Sequence, residues 1–150
     1  PIYPHAQALE RIAAAAEAAH RGPAKLVLTA RAENYLHGRA DLDDTIRRLQ
    51  DFAAAGADVV YAPGLTDAAD IAAVVQAVDK PVNVLLLRGG PSIAELSELG
   101  VHRISVGGAL AAIGLGALVD AATAFRSGDS AFLDGVRTGR EAMGRYFPAS

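Results

Sequence analysis

Apolar and polar positions along this chain follow two alternating periods. From Pro4 to His20 the apolar residues keep a helical repeat, with Leu9, Ile12 and several alanines opposite Gln7, Glu10, Arg11 and Glu17. Gly22-Pro23 stops that helix. A short continuous apolar run follows, predicting a strand over 25–30, and residues 33–40 read as a loop carrying Tyr35, His37 and Arg39. Asp41 is a good N-cap for the next helix, where Leu42, Ile46, Leu49 and Ala53 form one face before Gly56 ends it. A second strand is expected over 57–62, and Thr66 is read as the cap of a helix running through Val78. Asp79-Lys80-Pro81 turns into a third strand over 82–87. Ser92 with Glu95 predicts a capping box on a short helix ending at Gly100, and a fourth strand follows over 103–106. After Gly107-Gly108 a helix is expected to about Arg126, and a last one over roughly 131–146.

Strand then helix, repeated four times, predicts right-handed βαβ crossovers and an α/β fold with a parallel sheet. Helix, Gly, small residue, strand recurs at Ala55-Gly56-Ala57-Asp58 and Leu99-Gly100-Val101-His102, so the units look like variants of one module. Four such (β/α) units are half of an eight-stranded barrel.

Composition narrows the function classes. At 150 residues and 51% hydrophobic, the chain reads as a single domain, 1–150. A net charge of −3 with interspersed charges and no basic run lacks the footprint of a nucleic-acid binder. The absence of cysteine excludes a disulfide framework, a thiolate metal site and a cysteine nucleophile within these residues, and suggests a cytoplasmic protein. Apolar stretches are broken by Gly or charge short of about 18 residues, so no membrane span is expected. The first residue is Pro1 rather than methionine, so the chain is read as processed or as a piece of something longer.

The candidate chemistry sits where strands emerge. Leu26-Val27-Leu28-Thr29-Ala30 ends in Arg31-Ala32-Glu33, and in a parallel sheet charges appear at the carboxyl end, where ligands bind. Two readings stay open: an Arg31–Glu33 pair closing the sheet rim, or a substrate-facing arginine. Asn83 lies inside the third strand, where its amide serves either a ligand or a structural network across two strands. The glycines at Gly89-Gly90 and Gly107-Gly108 suit either tight turns or a phosphate held by backbone N–H groups. Asp43 and Asp44 read as first-turn helix charges, and His102 and Arg103 as the stability end of their strand. The four histidines show no metal-ligand spacing, so no metal ligand is assigned.

Thr29-Ala30-Arg31-Ala32-Glu33, Ala54-Ala55-Gly56-Ala57-Asp58, Ala62-Pro63-Gly64-Leu65, Lys80-Pro81-Val82-Asn83-Val84 and Ile104-Ser105-Val106-Gly107-Gly108 together resemble the isocitrate lyase/phosphoenolpyruvate mutase superfamily. The resemblance covers nearly the whole chain. It implies strands five to eight of a TIM-type (β/α)8 barrel plus a C-terminal helix, hence the C-terminal half of a protein of roughly 250 residues, or a barrel completed by another chain. It implies a Mg2+-dependent lyase or phosphonomutase-type enzyme acting on a small 2-oxo acid or phosphonate through an enolate-like intermediate. In the family the residue matching Arg31 holds a substrate carboxylate or phosphonyl group, a role suited to its fork of donors. Asn83 lies near a family asparagine that contacts substrate, and Glu33 stands where the lyases carry Asp, which leans toward the mutase-like branch. The resemblance also implies a homodimer or tetramer with the final helix on a neighbouring subunit. The family's metal-binding carboxylates and lysine-cysteine-glycine loop belong to the first half of the barrel, and Pro63 stands where the lyases place a glutamate. Two alternatives remain: a non-catalytic ligand-binding or structural half-barrel, and an unrelated phosphate-binding barrel enzyme.

Overall fold

The computed structural model describes residues 2–147. It comprises two compact units, Pro1–Val106 and Gly107–Ser150. In the first, helix α1 (His5–His20) precedes strand β1 (Thr29–Arg31), α2 (Leu42–Ala54), β2 (Val59–Tyr61), α3 (Ala68–Ala77), β3 (Val82–Leu85), α4 (Ile93–Glu98) and β4 (Arg103–Ser105). The strands form one sheet in the order β1-β2-β3-β4, every pair parallel. This is the α/β arrangement expected from the alternating pattern.

Register decides which residues face the helices. Ala30, Val60 and Val82 are partners on one face, and they join Leu49, Phe52, Ile71, Val74 and Leu96 in a continuous core. Each fully buried Leu, Ile or Phe there contributes about 1.5–3 kcal/mol. Along α2 the fully buried residues are Thr45, Arg48, Leu49 and Phe52, and the other members of the predicted stripe, Leu42, Ile46 and Ala53, are partly buried and packed against the core.

Local signals set the boundaries. Asp41 Oδ1 accepts from Asp44 N–H at 2.9 Å, and Ser92 with Glu95 forms the reciprocal capping box. The cap of α3 is Asp67 rather than Thr66: its carboxylate accepts from Ala69 and Asp70 N–H, which a carboxylate does more strongly than a hydroxyl. Gly56 has φ +107°, and a Cβ there would stand 2.9 Å from the Ala16 methyl, so glycine lets α1 close on the end of α2.

The strands are shorter than predicted. Leu26 and Val27 are exposed, and β1 begins only at Thr29. Continuous apolarity suits burial on both faces, but among the described residues β1 has β2 as its one sheet neighbour and Leu26 and Val27 lie ahead of the paired register.

In the second unit, α5 (Ala109–Ser127) ends at Gly128, whose positive φ of 79° closes the helix, and α6 (Asp134–Tyr146) follows a short 3-10 turn at Ala131–Leu133. Phe125 and Phe132 meet edge to face at 6.1 Å. No residue of α5 or α6 is buried. By length and composition alone α5 is apolar enough to cross a membrane, contrary to the expectation from the sequence. Gly114 and Gly116 interrupt the apolar run, but they do not interrupt the helix.

Candidate functional site

The exit of β1 is built by alternation. Ala30 and Ala32 are buried, so Arg31 between them turns to the other face of the sheet. There its Nε meets Glu33 Oε1 at 2.7 Å, and its guanidinium carbon lies 5.4 Å from the centre of the Tyr61 ring. Glu33 Oε2 lies 3.8 Å from His37 Nε2. The contact through Nε leaves the terminal nitrogens, the edge that takes a carboxylate or phosphonate two-pronged. The Arg31 side chain is 48% exposed. A cavity of about 240 Å3 opens beside it, lined by Arg31, Glu33, His37, Arg48, Tyr3 and Phe52.

Of the loop residues, His37 joins this cluster, whereas the Tyr35 hydroxyl turns to Asp70 Oδ2 at 3.4 Å. Burial, then the Asp70 carboxylate, push the Tyr35 phenol up. Gly64, with φ +89°, lets the loop after β2 approach it, since a Cβ there would lie 3.2 Å from the Tyr35 Cβ.

Behind Arg31 the strand exit is tied to α2. Asn34 Nδ2 and Arg48 Nε each donate to Asp44 Oδ2 at 2.8 Å, Arg47 adds a further contact, and Arg48 Nη1 reaches the Tyr3 carbonyl at 3.3 Å. Burial is the largest single influence on Asp44 and pushes its carboxyl up, but the hydrogen bonds from Arg48 and Asn34 with the Arg48 charge outweigh it and hold it down at about 2. Asp44 is thus more than a helix-end charge. The Asp44-to-Arg48 spacing of one helical turn is a signal that sequence reasoning passed over.

Asn83 is 1% exposed, and both ends of its amide are engaged. Arg103 Nη1 donates to Oδ1 at 2.7 Å, and Nδ2 donates to Ser105 Oγ at 3.1 Å. Arg31, Tyr61, Asn83 and Arg103 are successive register partners, so they form one row across all four strands. Arg103, expected at the stability end, belongs to this row because the strands are staggered: the start of β4 lies level with the end of β1. Burial pushes the Tyr61 phenol up, and the Arg31 charge and Ser105 hydroxyl oppose it.

The glycines of the loop after β3 border a different cavity, of about 510 Å3, lined by Thr66, Asp67, Gly89, Gly90, Glu95 and Glu98. Its lining is acidic, and Asp67, Ser92 and Glu95 already take the helix-end N–H groups that a phosphate would use. Gly89, with φ +84° and open space around it, serves the turn. Among the described residues no group of three His, Cys, Asp or Glu could hold a metal ion.

A parallel sheet alternating with helices, with a guanidinium at a strand's carboxyl end, defines an α/β domain of the open parallel-sheet class. Residues 1–126 match the phosphoenolpyruvate phosphomutase family, and the chain belongs to that family. A Mycobacterium tuberculosis relative, the uncharacterized protein Rv1998c, is 37% identical over 106 residues, covering 70% of this chain and 41% of its own length. The crystal structure of a Burkholderia cenocepacia J2315 protein described as a lyase/mutase superposes with a TM-score of 0.87 at 54% identity, over 99% of this chain and 54% of that one. A 2,3-dimethylmalate lyase of the PEP mutase/isocitrate lyase superfamily superposes with a TM-score of 0.73 at 26% identity, over 87% of this chain and 47% of that one. The chain therefore spans about half the length of these relatives. Solved relatives thus include a lyase of that superfamily.

Proposed function

We propose that this chain is the substrate-anion-holding half of a Mg2+-dependent lyase or phosphonomutase-type enzyme acting on a small 2-oxo acid or phosphonate through an enolate-like intermediate. The observation that carries this is Arg31, held through Nε by Glu33 at 2.7 Å with its planar end directed away from that contact. A two-pronged Arg–carboxylate contact fixes both the position and the plane of the anionic group. Glu33 keeps the guanidinium oriented and Tyr61 supports its face, and Asn83, in the same register row, would orient a substrate oxygen with an N–H of its amide.

Mg2+ does not fit the residues of this chain, since no group of three His, Asp or Glu side chains that could hold it is present among the described ones. Its ligands would come from the other half of a (β/α)8 barrel in which β1 to β4 are strands five to eight. That half is either the rest of a longer protein or another chain, and the two units described here would then be parts of one barrel domain. We place the enzyme in the cytoplasm as a homo-oligomer, dimer or tetramer, with the final helix on a second copy. The exposed Val136, Met143 and Tyr146 of α6 support that arrangement.

The test is turnover of oxaloacetate and phosphonopyruvate by the protein at its full length, with Mg2+ and after chelation. Turnover with Mg2+ that is lost on chelation is the expected result. Stoichiometric oxalate binding without turnover and without Mg2+ dependence would replace the proposal with a non-catalytic binding protein.

A further inference from the structure

We infer that Arg103 is a positioning residue for Asn83, one that decides which end of the amide is offered to a ligand; the inference rests on the site proposed above. An asparagine amide can present either its oxygen or its nitrogen, because rotation about the last bond exchanges them. A guanidinium only donates. With Arg103 Nη1 at 2.7 Å, Oδ1 must face Arg103 and Nδ2 must face the other way.

The next link agrees with this sense. Nδ2 donates to Ser105 Oγ at 3.1 Å, and that hydroxyl passes its own proton toward the Val84 carbonyl at 3.5 Å. The chain of donors therefore runs one way, from Arg103 through Asn83 and Ser105 to Val84. Among the described residues Arg103 has no carboxylate within ion-pair distance, so its charge is spent on the amide oxygen rather than on a salt bridge. Asn83, 1% exposed in the register row that includes Arg31, is left with one Nδ2 proton for which no acceptor is recorded among the described residues. Such a group recognises an acceptor: a carboxylate, phosphonyl or enolate oxygen, and not a hydroxyl or ammonium proton.

Oxalate is the probe, titrated into the full-length protein in Mg2+ alongside Arg103→Met, Arg103→Lys, Asn83→Ala and the Met/Ala double variant. A hydrogen bond to a charged group that is lost or misdirected costs roughly tenfold or more in affinity. Arg103→Met and Asn83→Ala should each show that loss, and the double variant should be no weaker than Asn83→Ala alone. Arg103→Lys, which can still only donate, should bind within about threefold of the parent. Losses that multiply in the double variant, or a fall in thermal midpoint with unchanged oxalate affinity, would overturn the positioning role.

A readout without ligand separates this from the activity. The side-chain amide proton pair of Asn83, observed by 15N NMR, should shift and exchange faster in Arg103→Met, and an unchanged pair would overturn the inference. A parent protein that neither binds oxalate nor turns over either substrate would defeat the proposed function, while the amide signals would still decide the role of Arg103.

Discussion

The two ends of the sheet use similar ingredients, a carboxylate and a nitrogen base, to different ends. At the amino ends of the strands, Asp58 Oδ2 accepts from His20 Nε2 and from Leu28 N–H, each at 2.8 Å. One carboxylate oxygen there ties the end of α1, the approach to β1 and the start of β2 together. At the carboxyl ends, Glu33 takes one nitrogen of Arg31 and leaves the rest of a half-exposed guanidinium without a carboxylate. The first group joins three elements of the fold through one oxygen, whereas the second leaves a half-exposed guanidinium edge unpaired, which is the edge the proposed function uses. In barrels of this type the same division separates the stability face from the face where ligands bind.

The sharpest way to break that comparison is to remove the cation at the open end. Arg31→Ala in the full-length protein should lose roughly a hundredfold or more in oxalate affinity, as expected for a two-pronged charged contact, with little change in thermal midpoint. Next in size is Asp44→Ala, which deprives the buried Arg48 of its carboxylate and should destabilise by roughly 3 kcal/mol in denaturant unfolding.

The pH dependence sharpens the same point. Asp44 sits at about 2 in the folded chain against an ordinary 3.8, so its contribution is fully present above pH 4 and is lost as pH falls toward 2. That displacement is worth about 2 kcal/mol. Acid unfolding of Asp44→Asn should show a correspondingly weaker dependence through that window.

At the amino ends of the strands, Asp58→Ala should cost about 1–2 kcal/mol, because Leu28 N–H loses its partner, while oxalate affinity stays within about twofold. The hydrogen bonds from His20 and Leu28 hold the Asp58 carboxyl below its usual range, so its stabilisation too fades only as pH drops beneath about 4. The smallest effect is expected from Glu33→Gln, which keeps an acceptor for Arg31 Nε and removes an exposed ion pair worth about 0.2–1 kcal/mol.

Much of this division was legible in the chain. Asp41, the capping box of Ser92 and Glu95, and the glycine closing α2 follow from chemistry confined to a few neighbouring residues. Thr66 and Asp67 show the limit of such signals: both are cap-forming residues, and the fold selected the carboxylate. Arg31 and Glu33 could be placed at a strand exit because the apolar run ends there. Their contact and the neighbouring His37 depend on how the loop folds back. Arg103 was not legible as a partner of Asn83, since a separation of 20 positions says nothing of register, and the stagger of parallel strands is a property of the sheet. Exposure of Leu26 and Val27 is likewise decided by what lies beyond the edge of β1, and no local pattern encodes that.

The central claim, that Arg31 holds the anionic group of a small substrate, is tested most directly by calorimetric titration of oxalate into the full-length protein and its Arg31→Ala variant, in Mg2+ and with thermal midpoints recorded in parallel. Saturable binding by the parent and its loss in a variant that melts at the same temperature is the predicted result. Equal affinity in the two proteins would contradict it, and would leave the Arg31–Glu33 pair as a closure of the sheet rim.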